Sequence, residues 1–310
     1  VLFRVYINCY QSLSRVAICG GTHGNELSGV WIVREMQKQQ VEKVGSISIT
    51  TVMSNPRAVE ACKRYMETDL NRCFTDAILS APVTDVTPYE VRRAHELNAQ
   101  LGPKGSQEAM DLVCDLHNTT ANMGLYVPLS DAHSLDSLET FMWNYFSVPE
   151  FVSELFLLFS TAFEVGPQPN GVVRADIYNL MKEALDHLVD WVQEFNSGTQ
   201  TTSYYIFNII NTLYGQKNWD TFTLHLQEIF WHPIDKDFIL LKPGDPIFLS
   251  FSGETVKYEG KELYPFFVNE CAYYEKHIAF HLAQKTILTI PSVRKKAIKT
   301  YLALCEKVIK

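Results

Sequence analysis

The sequence predicts an α/β fold, with a mostly parallel mixed sheet covered by helices and a smaller β-rich C-terminal domain. Three observations carry that reading. Short apolar runs that end in glycine or polar turns alternate with amphipathic helical stretches in the first part of the chain, the pattern of a sheet covered on both faces. A long, well-formed helical stretch, "RADIYNLMKEALDHLVDWVQEFNSG" (Arg174–Gly198), closes that part. Beyond Gly198 the texture changes to β-branched and aromatic runs separated by Gly, Pro and Asp, so the expected division is 1–198 and 199–310.

Each element follows from its own chemistry. "RVAICGG" (Arg15–Gly21) reads as a short buried strand ending in glycines, and "ELSGVWIVREMQKQQ" (Glu26–Gln40) as the helix after it. "SISITTVMSNP" (Ser46–Pro56) is rich in β-branched residues and ends at Asn-Pro, which predicts a second strand. In "TPYEVRRAHELNAQLGP" (Thr87–Pro103), Thr87 is expected as the cap, Pro88 as the first helical residue and Gly-Pro as the stop. "MDLVCDLHN" (Met110–Asn118) is another apolar strand, running into the polar turn "TTANMG". In the long helix, Ile177, Leu180, Met181, Ala184, Leu188 and Val192 fall on one face. The C-terminal stretches "TTSYYIF", "DFILLKPGDPIFLSFSGETVKYEGKELYPFFVNE" and "KTILTI" predict short strands, with a final amphipathic helix from about Val293.

Composition narrows the function classes. Apolar residues are 46% and charged residues 20% of the chain, as in a soluble globular protein. No apolar run reaches the roughly 18–20 residues of a membrane-spanning helix. A net charge of −8 argues against nucleic acid as a partner. Seven cysteines, with no C-x-x-C pair, argue for free thiols in a reducing cytoplasm and against a cysteine-built metal site. The residues leave open whether the protein stays free there or gathers at a membrane surface.

The chemistry begins with "GGTHGNELSG" (Gly20–Gly29), where His23 and Glu26 stand three residues apart in a glycine-rich turn after the first strand. His117 ends a later strand. If the two strands are parallel, both histidines lie at the same edge of the sheet, where α/β folds gather their chemistry. Two histidines and one carboxylate form a known catalytic zinc set with a position left for water. Asp115 stands two residues before His117 and is placed to hold an imidazole by its other nitrogen. H-x-x-E pairs also occur on ordinary surfaces, so from these residues alone both readings stand.

The wider pattern decides between them. "GGTHGNELSG", "NPRAVEACKRYMETDLNRCF", "PYEVRRAHELN", "DLHNTTANMG", "EVGPQPNGVVRAD", "GDPIF" and "VNECAYYEK" resemble, in order, the aspartoacylase/aminoacylase-3 family of the zinc-carboxypeptidase-like superfamily. The resemblance implies a zinc-carboxypeptidase-like catalytic domain with one zinc ion per subunit, held by His23, Glu26 and His117. It implies hydrolysis of a small N-acyl amino acid to a carboxylate and a free amino acid, with Glu164 as the catalytic carboxylate. It also implies that Arg64, Asn71 and Arg72 bind the substrate carboxylate and that Tyr273 is supplied by the C-terminal domain. Arg64 has a second implied role, stabilising the oxyanion, and Asn118 is a further substrate-binding candidate. A homo-oligomer is expected on the same ground.

Within the family, "DLHNTTANMG", "RCFTDAIL", "LGPKGSQEAMDLV" and "FSGETVKYEG" look more like aminoacylase-3, which acts on N-acyl aromatic amino acids and S-cysteine conjugates. Glu154 stands where aspartoacylase has an arginine for the second carboxylate of N-acetylaspartate, and a like charge would repel that substrate. The sequence departs from the family between His117 and Glu164, where the connection is shorter. Two alternatives therefore remain: deacetylation of N-acetylaspartate, and a catalytically impaired zinc-binding relative.

Overall fold

The computed structural model describes residues 8–10, 12–103, 106–130, 140–144, 161–197, 206–212, 228–230, 237–250, 252–274, 279–289 and 293–295. In chain order the strands are β1 (Asn8–Tyr10), β2 (Arg15–Gly20), β3 (Lys43–Val44), β4 (Ile47–Met53), β5 (Leu112–Asn118), β6 (Gly124–Ser130), β7 (Thr140–Asn144) and β8 (Thr161–Gly166). They continue with β9 (Ile206–Thr212), β10 (Glu228–Phe230), β11 (Pro246–Ser250), β12 (Thr255–Lys257), β13 (Tyr264–Phe266), β14 (His281–Thr289) and β15 (Val293–Lys295). The helices are α1 (Leu27–Lys38), α2 (Pro56–Ala61), α3 (Asp76–Ser80), α4 (Tyr89–Gln100), α5 (Ala175–Ser197) and α6 (Cys271–Tyr274), with a 3-10 turn at Leu70–Arg72.

The main sheet has the order β13-β14-β9-β7-β6-β8-β5-β2-β4-β3. Its centre, β8-β5-β2-β4, is parallel, and the strands on either flank pair antiparallel. Strands β9, β13 and β14 from the C-terminal part continue this sheet, while β10-β11-β12 form a small antiparallel sheet of their own.

Alternation along the central strands explains the layers. Val16 and Ile18 of β2, with Leu112, Cys114 and Leu116 of β5, join the cluster formed with α1 and α5, whereas Ala17 and Cys19 pack on the opposite face with Ala94 and Leu97 of α4. The α5 face contains Ile177, Met181, Ala184, Leu188 and Val192 as expected, and Leu185, Trp191 and Phe195 broaden it. Each large side chain so buried contributes about 1.5–3 kcal/mol against exposure. Gly29 lets α1 lie directly on β5, because a Cβ there would stand 2.5 Å from the Leu116 carbonyl oxygen.

Two local expectations are corrected. Pro88 precedes the first helical residue of α4 rather than occupying it, and Thr87 does not cap the helix. Its hydroxyl instead accepts from the Thr84 N–H at 2.8 Å, and the Tyr89 N–H finds its acceptor in Glu67 at 2.7 Å. Val293–Lys295 is a strand paired in parallel with β1 instead of the start of a helix. Its partner lies at the other end of the chain, and a local periodicity cannot register such pairing. Residues 296–310 lie outside the described residues.

Candidate active site

The site forms at the C-terminal ends of the parallel strands. Leu116, Phe163 and Val165 face the α1/α5 cluster. Strand alternation then turns Asp115, His117 and Glu164 to the other face, toward the loop that carries residues 64–72. In the β5/β8 pairing His117 stands directly opposite Glu164. His23 and Glu26 come from the turn between β2 and α1. Gly24 makes this turn possible, since a Cβ there would lie 2.0 Å from the backbone carbon of Ala58. Glu26 occupies the N-cap of α1 but gives no side-chain hydrogen bond to the helix. Its carboxylate is used elsewhere.

That carboxylate meets both histidines. His23 Nδ1 lies 2.6 Å from Glu26 Oε1, His117 Nδ1 lies 2.9 Å from Oε2, and the two Nδ1 atoms are 3.2 Å apart. All three residues are buried, and together they form a group able to hold a metal ion. Two imidazole nitrogens on one tetrahedral zinc stand roughly 3.3 Å apart, given Zn–N bonds of about 2.0–2.1 Å, so the observed spacing fits. The outer nitrogens are also engaged: His117 Nε2 with Asp115 at 2.9 Å and His23 Nε2 with Asp69 at 3.2 Å. Thr22 donates its hydroxyl to Asp115 at 2.8 Å, fixing that carboxylate in turn. A carboxylate behind each imidazole is the arrangement that orients metal-binding histidines.

The electrostatics agree with a cation-binding centre. Burial opposes charge on His117, but Asp115 and Glu26 outweigh it and hold the imidazole well above its ordinary pKa. His23 is raised for the same reason, by Glu26 and Asp69 against burial. The two imidazoles hold Glu26 well below the usual carboxylate range, although its burial works the other way. Glu164 moves oppositely. Burial pushes its carboxyl up to about 7; His117 and His23 pull it down, while the Glu26 and Glu270 carboxylates add to the rise.

The remaining predicted residues divide into groups. Arg64 reaches the cluster directly, with Nη1 3.2 Å from Glu26 Oε1 and Nη2 3.6 Å from Asp69 Oδ2. Asn71 Nδ2 lies 3.5 Å from His117 Nε2. Arg72 ends the same 3-10 turn, is exposed, and helps keep Asp69 ionised. Tyr273 packs its ring against Phe267 and His281. Its segment is fastened to the loop after β5, where Glu270 accepts the Thr119 hydroxyl and the Thr120 N–H. Glu154 lies outside the described residues.

Asn118 has a different place from the expected substrate contact. Its Oδ1 accepts from the Ser28 N–H at 3.0 Å and from Gln168 Nε2 at 2.8 Å, and its Nδ2 donates to the Val165 carbonyl at 3.0 Å. Its backbone N–H donates to Glu26 Oε2 at 3.0 Å. The side chain is thus turned into the protein, where it joins α1, β5 and β8. Gln168 completes the junction, accepting from Ser28 Oγ at 3.0 Å and from the Arg174 N–H at 3.1 Å. Sequence reasoning missed Gln168, Thr22 and Glu270. The only signal was a polar residue inside each motif that the chemistry left without a task.

Comparison with known proteins identifies the family. Residues 12–156 match the succinylglutamate desuccinylase/aspartoacylase catalytic domain, and residues 204–285 match the AstE/AspA barrel-sandwich hybrid domain. A zebrafish (Danio rerio) N-acyl-aromatic-L-amino acid amidohydrolase (carboxylate-forming) B is 53% identical, covering 91% of this chain and 96% of its own. An aspartoacylase from the same species is 39% identical, covering 94% and 98%. The crystal structure of murine aminoacylase 3 superposes with a TM-score of 0.77 at 37% identity, over 92% of this chain and 100% of its own. With its two domains matched in order and its relatives aligned nearly end to end, the chain belongs to the succinylglutamate desuccinylase/aspartoacylase family.

Proposed function

We propose that the protein is a zinc-dependent amidohydrolase that cleaves N-acyl aromatic L-amino acids, and related S-cysteine conjugates, to a carboxylate and the free amino acid. One observation carries the reading: a buried His23–Glu26–His117 cluster with Glu164 directly opposite His117 on the next strand. The 53% identity to an N-acyl-aromatic-L-amino acid amidohydrolase supports the substrate class.

His23, Glu26 and His117 would hold the zinc, which when bound acidifies water and polarises a carbonyl. Glu164 acts on the protons. Its carboxylate takes one from the attacking water as the new C–O bond forms, then gives it to the amide nitrogen as the C–N bond breaks. A cation in the cluster favours the ionised form of Glu164, the form a base requires. Arg64, braced by Glu26 and Asp69, offers N–H groups where negative charge develops on the carbonyl oxygen. Arg72 and Asn71 take the substrate carboxylate, for which a planar guanidinium is the fitting donor. Tyr273 adds a hydroxyl from the C-terminal domain. The division at 198/199 belongs to the same proposal; it falls between the family matches over 12–156 and 204–285, and strands of both parts share one sheet.

No helix among the described residues is long and apolar enough to cross a membrane. A cytoplasmic homo-oligomer belongs to the same proposal, and light scattering of the purified protein reads the assembly. The decisive experiment measures zinc content and then hydrolysis of N-acetyl-tyrosine and N-acetylaspartate. One zinc per chain with preferential turnover of N-acetyl-tyrosine is expected. Preference for N-acetylaspartate would replace this reading with the aspartoacylase one, and bound zinc with neither turnover would leave only a binding role.

A further inference from the structure

We infer that Glu90, at the start of α4, is a positioning residue that sets the loop carrying Arg64, Asn71 and Arg72, and through it the grip on the substrate carboxylate. This inference rests on the amidohydrolase reading above. Glu90 is fully buried and touches none of the metal-binding residues in the observed bonding. Its Oε1 accepts from the Met66 N–H at 2.6 Å, and its Oε2 from the Glu67 and Thr68 N–H groups, both at 3.1 Å. Asn55 Nδ2 adds a fourth donor at 3.3 Å. Three consecutive backbone donors converging on one carboxylate fix the path of the chain just after Arg64 and just before Asp69.

The attachment runs in both directions. The Glu67 side chain accepts the Tyr89 N–H at 2.7 Å, so loop and helix terminus each satisfy the other. Farther along the loop, Asp69 caps the 3-10 turn through the Asn71 N–H at 3.0 Å and touches His23. Leu70 and Cys73 pack with Ala94 and Leu97 of α4. The helix is anchored to the sheet by Arg93, whose Nε donates to the Ser54 carbonyl at 2.8 Å and whose Nη2 donates to that of Met53 at 3.1 Å. A rigid line thus runs from the end of β4 through α4 and Glu90 to the substrate arginines. The carboxylate suits this role better than an amide, because Glu90 receives only donors and a glutamine would place an NH2 group against one of them. The same bonds hold its pKa below the ordinary value despite burial.

The test compares wild-type protein with Glu90→Gln and Glu90→Asp. It measures kcat/KM for N-acetyl-tyrosine and for N-acetyl-tyrosine amide, which lacks the carboxylate, together with zinc content. In the variants the ratio between the two substrates should fall at least tenfold, mainly through a higher KM for N-acetyl-tyrosine, with zinc retained. Simple loss of folded protein would lower both rates together and leave the ratio intact. An unchanged ratio in a folded variant overturns the role of Glu90 while leaving the amidohydrolase reading standing. Absence of turnover in the wild-type protein overturns both.

Discussion

Replacing Asp115 with asparagine tests whether the buried imidazoles act as metal ligands. The carboxylate accepts from His117 Nε2 at 2.9 Å and is fixed by the Thr22 hydroxyl. Asparagine is nearly isosteric, so the ring is kept in place while the negative charge behind it is lost. Removing such a partner typically weakens metal binding about 10–100-fold, or roughly 1.4–2.7 kcal/mol. Proton competition opposes part of this loss. In the metal-free protein Asp115 and Glu26 keep His117 protonated, so without Asp115 the ring gives up its proton more easily. The net loss of zinc affinity should therefore grow as pH rises and proton competition fades. Asp69→Asn should cost less, because its contact with His23 is longer, at 3.2 Å, and the carboxylate also faces Arg64. Chelator competition over a pH series measures both effects. Equal zinc affinity in wild type and Asp115→Asn at every pH of the series would refute the assignment of His117 as a ligand supported from behind.

The other predictions address separate parts of the site. Glu164→Ala should lower kcat by about 10²–10⁴-fold with zinc retained, as expected for loss of a general base; unaltered kcat removes Glu164 from the mechanism. Because both site histidines have raised pKa values in the metal-free protein, zinc uptake should release protons and apparent affinity should rise with pH, which calorimetry in buffers of different ionisation enthalpy detects. Gln168→Ala strips partners from Ser28, Arg174 and Asn118, and should cost about 1–3 kcal/mol in urea unfolding; an unchanged midpoint contradicts the structural task given to this amide. Gly24→Ala places a methyl group 2.0 Å from the Ala58 carbon, so it should displace the His23–Glu26 turn and weaken zinc binding even in folded protein.

Some of this was legible in the residues and some was not, for physical reasons. Strands β2, β4 and β5 and helix α5 follow from local patterns of apolar and breaking residues and stand where expected, whereas β8, which carries Glu164, is not among the strands predicted. That His23, Glu26 and His117 come together could be anticipated from their place at strand ends, while a metal role for them rested on the family resemblance as well. The inward turn of Asn118 was not readable, since an amide beside a ligand looks the same whether it faces substrate or a buried Gln168. The continuation of the main sheet through β9, β14 and β13 depends on contacts between distant parts of the chain. The missed start of α4 has a similar origin: its first N–H is satisfied by Glu67, from a separate loop, instead of by the neighbouring threonine.

The pairing of His117 with Glu164 across adjacent strands has an evolutionary consequence. The ladder itself sets their separation, so the excursion joining them is free to lengthen or shrink while the chemistry remains in alignment. What must be conserved is the register of β8 against β5: a slip of one position would swing Glu164 to the far side of the sheet, among the apolar neighbours of Phe163 and Val165. A change in the length of that excursion can therefore leave the opposition of the two side chains intact.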